Sequence, residues 1–242
     1  MNKKFDIDSN FNEEFTEDCN IFLNINKCDE LKYTIKNSNC NFFIFIDSKD
    51  DINENIEIIN STVNMYYIEL NDNNINFKSN INVYRNSDVN INTILLASCC
   101  KKLSFDITNV EDHSNCEIHN NVVGLDKADY TLEVIGNILK KSPYSKCIQK
   151  THSITVGNPD KIHILPILNI DNENVIAAHS LSSGTIDEDI MYYLNARGIS
   201  KDKALKLIIE SYLSIPNDVM DTFNFADANS IYKRKVDSLC LM

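Results

Sequence analysis

Apolar and polar residues alternate in short runs over most of this chain. Asn, Asp, Ser and Lys separate the runs, which include NIFLNIN, NFFIFID, VNMYYIEL, INVYR, LSFDITNV and KIHILPILNI between residues 20 and 170. A period of two is typical of β-strands with one buried face. Many short strands without amphipathic helices between them predict a β-sandwich, a β-barrel or a β-helix. The lack of Asn-Gly and Asp-Gly hairpin dipeptides favours the β-helix.

The turns between the early strands must form without glycine, because the first glycine in the chain is Gly124. Asn and Asp enter the left-handed backbone region more readily than other non-glycine residues. We therefore predict that asparagines carry these turns. A codon bias toward Asn, Ile and Lys would enrich the same residues, so both explanations stay open at this point.

The pattern changes to a helical one near residue 187. Asp187 is suited to cap a first helix, Gly198 to end it, and Ser200 to cap a second helix. The second helix carries an apolar stripe at three- and four-residue spacing, formed by Ala204, Leu205, Ile208, Ile209, Tyr212 and Leu213. A third helix is predicted from about residue 217. Such helices would serve as a lid on the open end of a stacked β-helix.

The segment GTIDEDIMYYLNARGISKDKALKLII combines a glycine, an acidic pair, an aromatic pair and an Arg-Gly-Ile in a fixed order. The positions concerned are Gly184, Ile186, Asp187, Glu188, Tyr192, Tyr193, Leu194, Arg197, Gly198, Ile199 and Ala204. With PILNI at 166–170 and LDKADYTLEVIGNI at 125–138, this order resembles the SufB/SufD family, the scaffold-type components of SUF iron-sulfur cluster assembly. The resemblance covers roughly residues 105–215, and the chain is shorter than typical family members.

The resemblance implies a right-handed parallel β-helix with a small C-terminal α-helical segment that docks onto an ABC-type ATPase, SufC. We expect an N-terminal tail in residues 1–18, the β-helix in 19–180 and the helical docking segment in 181–242. Docking is expected to involve Asp187, Tyr193, Arg197, Gly198, Leu205 and Ile208. A second SufB/SufD-like subunit, identical or related, is the other expected partner.

The resemblance also identifies a candidate ligand for iron. In IAAHSLSSG, His179 falls at the family histidine, but the family cysteine positions hold Ala177 and Thr151. Neither of these side chains binds iron well, because iron and its clusters favour thiolate and imidazole. Cys147 and His152 lie nearby and are replacement candidates, although His152 has the opposite strand parity to position 151.

A second candidate cluster for metal is DHSNCEIH at 112–119, from which we select Cys116 and His119. His119 also falls near a histidine of SufD-like members. A histidine and a cysteine three residues apart, such as His113 and Cys116, converge in a turn but point to opposite faces of a straight strand. An iron-sulfur cluster or iron, shared with a partner, is therefore the expected cargo.

Composition and charge exclude several function classes. The formal charge is −12, and the only basic run is the short KRK at 233–235, which argues against a nucleic-acid surface. No apolar run approaches the roughly 18 residues of a membrane span, and MNKKFDIDSNFNEEF is too acidic for a signal peptide. The eight cysteines include no CxxC pair, so we expect reduced, mostly buried thiols in a cytoplasmic protein.

No phosphate-binding glycine loop, nucleophile elbow or HExxH is present, so the chain is not expected to be an enzyme. The leading hypothesis is a scaffold or scaffold partner in iron-sulfur cluster assembly. The alternative is a diverged β-helix interaction protein that keeps ATPase docking but has lost cluster binding. A polysaccharide-cleaving β-helix enzyme would need exposed carboxylates and basic residues along one coil face and a secretion signal, which the sequence lacks.

Overall fold

In the computed structural model, which describes residues 1–214, strands occupy the chain up to residue 185 and helices follow. The strands are β1 (Asn2–Ile7), β2 (Phe11–Phe15), β3 (Cys19–Ile25), β4 (Glu30–Lys36), β5 (Asn39–Ile46), β6 (Ile52–Ile59), β7 (Thr62–Glu69), β8 (Ile75–Val83), β9 (Ser87–Ala97), β10 (Cys100–Asn109), β11 (Ser114–Gly124), β12 (Asp129–Ile138), β13 (Lys146–Thr155), β14 (Lys161–Ile170) and β15 (Ile176–Thr185). The helices are α1 (Glu188–Ala196) and α2 (Lys201–Leu213).

The strands alternate between two sheets. All odd-numbered strands form one sheet in the order β1 to β15, and all even-numbered strands form the other in the order β2 to β14. Each strand pairs in parallel with the strand two places later in the chain. One odd and one even strand therefore make one coil, and successive coils stack. The predicted parallel β-helix with a small helical segment after it is confirmed.

Alternation of buried and partly exposed side chains explains why these segments are strands. In β12, Tyr130, Leu132 and Val134 are buried, and the residues between them are partly exposed. Inward side chains from both sheets meet in one apolar core that runs along the stack. Burial of apolar surface, which contributes about 25 cal/mol per Å², therefore stabilises nearly every coil.

A left-handed residue followed by a serine marks the turn between most successive coils. The left-handed residues have φ between 47° and 60° and are Asn37, Asn60, Asn86, His113 and Tyr144. The serines that follow are Ser38, Ser61, Ser87, Ser114 and Ser145. The backbone N–H of Ser38 donates to the Ser61 hydroxyl, and that of Ser114 donates to the Ser145 hydroxyl, both at 3.2 Å. The predicted turn role of asparagine is confirmed in the first three of these turns.

Asparagine has a second role, on the outer face of the odd sheet. Side-chain amides on successive strands donate to one another at 2.8–3.2 Å, forming a ladder through Asn2, Asn20, Asn41, Asn64 and Asn90. Each amide offers both a donor and an acceptor, so one residue type satisfies the whole row. Protein structure therefore accounts for part of the asparagine enrichment.

The first 18 residues differ from the expected tail. They contain β1 and β2, which pair with β3 and β4. Phe5 packs edge-on against Phe11 and Phe15, with ring centroids 5.2 and 6.3 Å apart. Because these apolar residues join the core of the next coil, the β-helix begins before residue 19. At the other end, β15 continues past the expected boundary at residue 180.

The two helices begin and end as predicted, but they do not cover the end of the β-helix. Asp187 accepts the N–H of Asp189 at 2.8 Å, and Gly198 has φ +84°. Ser200 is the N-cap of α2 without a side-chain hydrogen bond. Helix α2 packs against β9 and β11 on the outer face of the odd sheet, where Ile209 and Leu213 are buried. The predicted lid is therefore a side brace, and the predicted third helix lies outside the described residues.

Two polar clusters lie inside the β-helix. The Glu54 carboxylate accepts hydroxyl hydrogen bonds from Tyr33, Tyr67 and Ser79 at 2.6–2.7 Å. The Lys101 ammonium lies 2.6 Å from a carboxylate oxygen of Glu69, and both side chains are at most 1% exposed. Lys101 also donates to the backbone carbonyl of Asn71 at 2.6 Å. Buried charge of this kind requires such partners.

Candidate functional site

The stack of coils ends at β14 and β15 with exposed apolar side chains. Ile170 is 46% exposed although Ile138, its register partner on β12, is 1% exposed. Leu181 on β15 is 45% exposed, whereas its partner Thr151 is 3% exposed. Positions that are interior in the preceding coil are therefore uncovered here. We call the exposed edge formed by β14 and β15 the open end.

His179 lies at this open end. It is the register partner of Gln149, which is itself the partner of Ile118. Gln149 and Ile118 are buried, so His179 occupies an inward-facing position of the last strand. No further coil within residues 1–214 covers it, and its side chain is exposed. The imidazole is thus placed where a partner that extends the sheet would meet it.

Two buried thiols lie in the coils next to the open end. Ala177 is the register partner of Cys147, and Cys147 is the partner of Cys116. Burial raises the pKa of Cys147 to about 12 and the pKa of Cys116 well above its usual range. Gly136 allows this packing, because a Cβ there would lie 2.5 Å from the Cys147 sulfur. Both thiols are therefore protonated and closed off from solvent.

The interior becomes polar as it approaches the open end. The Gln149 Nε2 donates to the backbone carbonyl of Ile167 at 3.0 Å, while its buried Oε1 has no hydrogen-bond partner among residues 1–214. The Asn120 Nδ2 donates to the Thr151 hydroxyl at 3.0 Å, and Thr93 donates to Asn120. Thr151 thus belongs to an internal hydrogen-bond ladder.

The structure does not bring the paired candidates together. Cys147 points inward on β13, whereas His152 is exposed on the outer face of the same strand. Cys116 points inward on β11, whereas His119 is partly exposed on the outer face. The members of each pair differ by an odd number of positions along the strand, so strand geometry directs them to opposite faces. Neither pair forms one ligand set.

His119 instead belongs to a surface ion cluster. Its Nε2 lies 3.4 Å from one Glu117 carboxylate oxygen, and Lys146 donates to the other. The Lys146 hydrogen bond is the main reason that the pKa of Glu117 is lowered. In the part of the chain that the structure describes, no group of three or more His, Cys, Asp or Glu side chains is placed to hold a metal ion.

The predicted docking residues fall into two groups. Tyr193 is 55% exposed on α1, and its ring lies 4.7 Å from the Arg197 guanidinium. Leu205 and Ile208 instead pack against the apolar cluster on the odd sheet. Asp187 and Gly198 form the ends of α1. The sequence prediction of docking by Leu205 and Ile208 therefore requires correction, since the apolar stripe of α2 faces the β-helix.

Exposed apolar residues that were not assigned to docking lie on the other side of the helices. They are Ile190, Tyr192 and Leu207, with 49%, 76% and 48% exposure. Helix α1 has no buried residue. The sequence could have indicated these residues, because Ile190 and Tyr192 lie in the first helix and Leu207 lies outside the apolar stripe of the second. Neither described helix is long and apolar enough to cross a membrane.

Comparisons with known proteins agree with one family. The model of the SUF system FeS cluster assembly SufBD core domain matches residues 36–212, well over half of the chain. The iron-sulfur cluster assembly protein SufD of Bacillus subtilis is 32% identical over 89 residues, which are 37% of this chain and 20% of that protein.

Two further relatives carry the SufBD family name. The Pyrococcus horikoshii protein is 28% identical over 101 residues, covering 42% of this chain and 30% of the relative. The Galdieria sulphuraria protein is 29% identical over 76 residues, covering 31% and 33% respectively. The matched segments therefore span no more than a third of each curated relative's length.

Proposed function

This chain belongs to the SufB/SufD family of SUF iron-sulfur cluster assembly proteins, and from that premise we propose that it acts as a scaffold partner rather than as an enzyme. In this proposal it joins a second SufB/SufD-like subunit through its open end and binds a SufC-like ABC ATPase through α1. An iron-sulfur cluster is the cargo, held at the junction of the two scaffold subunits.

The open end is the observation that carries the proposal. Exposed strand edges present unpaired backbone donors and acceptors, which another strand satisfies by extending the sheet. Exposed Ile170 and Leu181 would be buried by the same contact. His179 lies on this surface, so a partner that covers the edge would bring its own ligands next to the imidazole.

The ligand set of this chain alone is too small for a cluster. Clusters are generally held by several thiolates. Cys147 is one coil inward of the open end and protonated, while positions 177 and 151 hold alanine and threonine. A partner subunit would therefore supply the thiolates, and His179 would add one neutral nitrogen ligand.

We expect His179→Ala to weaken cluster retention in the complex by about 10-fold or more, because alanine removes one metal bond. The complex of this chain with its co-expressed ATPase and second scaffold subunit is reconstituted anaerobically, and iron, acid-labile sulfide and visible absorption are measured. His152→Ala is the matched control, since His152 is an exposed outer-face histidine on the neighbouring strand.

Equal cluster content in the His179→Ala and wild-type complexes would remove His179 from the site. A robust cluster on the isolated chain would instead show that its own thiols suffice. The alternative function, interaction without cluster binding, is supported by Ala177 and Thr151. It predicts that the complex assembles normally, and that the ATPase and second scaffold subunit retain the same cluster content whether or not this chain is present.

ATPase docking is proposed to use the exposed face of α1. Aromatic and arginine side chains commonly dominate binding energy at interfaces, and Tyr192, Tyr193 and Arg197 supply that chemistry here. Helix α1 has no buried residue, whereas the apolar stripe of α2 packs against the β-helix, so α1 is the helix that offers an exposed face.

Replacing both tyrosines (Tyr192→Ser with Tyr193→Ser) is expected to weaken ATPase binding by about 30-fold or more, the equivalent of losing one interface hot spot of about 2 kcal/mol. Binding is measured by calorimetry with the purified ATPase. Tyr144→Asn is the control, because Tyr144 is a 66% exposed tyrosine on a turn of the β-helix. Unchanged affinity in the folded double variant would refute docking through α1.

A further inference from the structure

Four cysteines share one interior ladder of the odd sheet. The register runs through Cys19, Cys40, Val63, Val89, Cys116, Cys147 and Ala177. All described cysteines are free thiols, and five of the seven are buried. The ladder therefore contains two thiol pairs on adjacent coils, one at each end of the stack.

The pair nearer the chain start is in direct contact. Cys19 on β3 and Cys40 on β5 are register partners, and their sulfur atoms are 3.3 Å apart. Neighbouring strands lie about 4.8 Å apart, which falls within the Cα separation that disulfides span. A small rotation of the side chains would bring the sulfurs to the bonding distance of about 2.05 Å. The strand spacing and the sulfur contact are thus compatible with a bond.

Cys19 is the least enclosed of the four ladder thiols. It is 5% exposed, whereas Cys40, Cys116 and Cys147 are at most 1% exposed. Burial and the neighbouring Cys40 raise the pKa of Cys19, and the positive charge of Lys3 offsets only part of this. Beside Cys40, the Ser38 hydroxyl lies 3.5 Å from the sulfur. A small oxidant therefore has shorter access to Cys19 than to the deeper pair.

We propose that Cys19 on β3 and Cys40 on β5 are a peroxide-sensitive dithiol. Its oxidation forms a disulfide that links these two adjacent coils. One thiolate attacks hydrogen peroxide, forming a sulfenic acid and releasing one water after proton uptake. The second thiol then attacks that sulfur, forming the S–S bond and releasing a second water. Two thiols are oxidised by two electrons, and one peroxide is reduced.

Burial makes this reaction slow under ordinary conditions. It raises the pKa of Cys19 to about 12, so the thiolate is scarce at neutral pH. The thiolate is the reactive form, and below the pKa each unit rise in pH increases its population about tenfold. Disulfide formation is therefore expected to accelerate about tenfold between pH 7 and pH 8, and the reduced state persists without an oxidant.

The test is peptide mapping of the full chain after treatment with hydrogen peroxide, with free thiols then blocked. Trypsin releases Cys19 in residues 5–27, Cys28 in 28–32 and Cys40 in 37–49. We expect a cross-linked species of 5–27 with 37–49, lost on reduction, while Cys28 stays separate. Oxidation of the exposed Cys100 shows that the oxidant has acted.

The deeper pair supplies an internal comparison, because Cys116 and Cys147 fall in separate tryptic peptides, 103–127 and 147–150. These two are expected to stay reduced when Cys19 and Cys40 are linked. The linked protein should melt about 5 to 10 °C higher than the reduced protein, because the bond closes a loop of 21 residues.

Cys40→Ser should abolish the cross-link and the shift in melting temperature, and Cys28→Ser should keep both. Free Cys19 and Cys40 in wild-type protein whose Cys100 is oxidised would overturn the proposal without reference to any variant. Oxidation of Cys116 with Cys147 before Cys19 with Cys40 would overturn it as well.

Discussion

Lys101→Met is expected to lower the free energy of unfolding by about 3 to 5 kcal/mol, because the substitution leaves a buried carboxylate without its counter-ion. Methionine has nearly the shape of the lysine stem, so lost packing contributes little. Glu69 would then lose the ammonium that lies 2.6 Å from its carboxylate. Urea denaturation followed by circular dichroism measures the change.

Lys102→Met is the control for Lys101→Met, since Lys102 is the exposed neighbour on the opposite face of β10. It should change the free energy of unfolding by less than about 0.5 kcal/mol. Adding Glu69→Gln to Lys101→Met should recover part of the loss, because the uncompensated charge is removed. A loss below about 1 kcal/mol in the single variant would show that the pair is not buried as described.

The carboxylate cluster of Glu54 is expected to be equally sensitive. Glu54→Leu should lower the free energy of unfolding by about 3 kcal/mol or more, because three buried hydroxyls each lose an acceptor at about 1 kcal/mol or more. These hydroxyls belong to Tyr33, Tyr67 and Ser79. Denaturation at neutral pH measures the loss, and a change below about 1 kcal/mol would contradict the network.

The same cluster predicts a pH dependence. Burial raises the pKa of Glu54 above its ordinary value of 4.5, so the folded protein binds this proton more tightly than the unfolded chain does. The stability contributed by that proton is fully present below pH 4.5 and is lost as the pH rises through the folded pKa. Glu54→Gln removes this titration, so its stability relative to wild type should improve across that window.

Denaturation of wild type and Glu54→Gln at several pH values from 4 upward measures the difference as a function of pH. Glu57→Gln is the matched control on the outer face of β6 and should show no such trend. A constant difference between wild type and Glu54→Gln would show that Glu54 titrates alike in the folded and unfolded chain.

Strand identity and the stacked fold were predictable because each coil repeats the same alternation of apolar and polar residues. The absence of glycine before Gly124 likewise predicted turn asparagines such as Asn60, whose left-handed backbone few other residues accept. The family match to residues 36–212 extends further than the motifs recognised from the sequence, which began near residue 105. The early coils match the family through their pattern without distinctive short motifs.

The contacts between residues of different coils were not predictable, because they depend on the length of each coil. The contact of Lys101 with Glu69 crosses 32 residues, and no local period reports which positions stack over that interval. The placement of α2 failed for a related reason. Its stripe through Ile209 indicates a buried face but not which surface buries it, and the outer face of the odd sheet carries an apolar cluster that does so.

The repeated corner of a left-handed residue and a serine gives the stack a constant rise per coil. Each corner returns the chain to the same place one layer higher, so adding or deleting a whole coil changes the height by about 4.8 Å and little else. An insertion of part of a coil within a strand would break the alignment of Ser114 over Ser145. Evolution can therefore reset the spacing between the two ends of the scaffold in whole layers while keeping the surface around His179 unchanged.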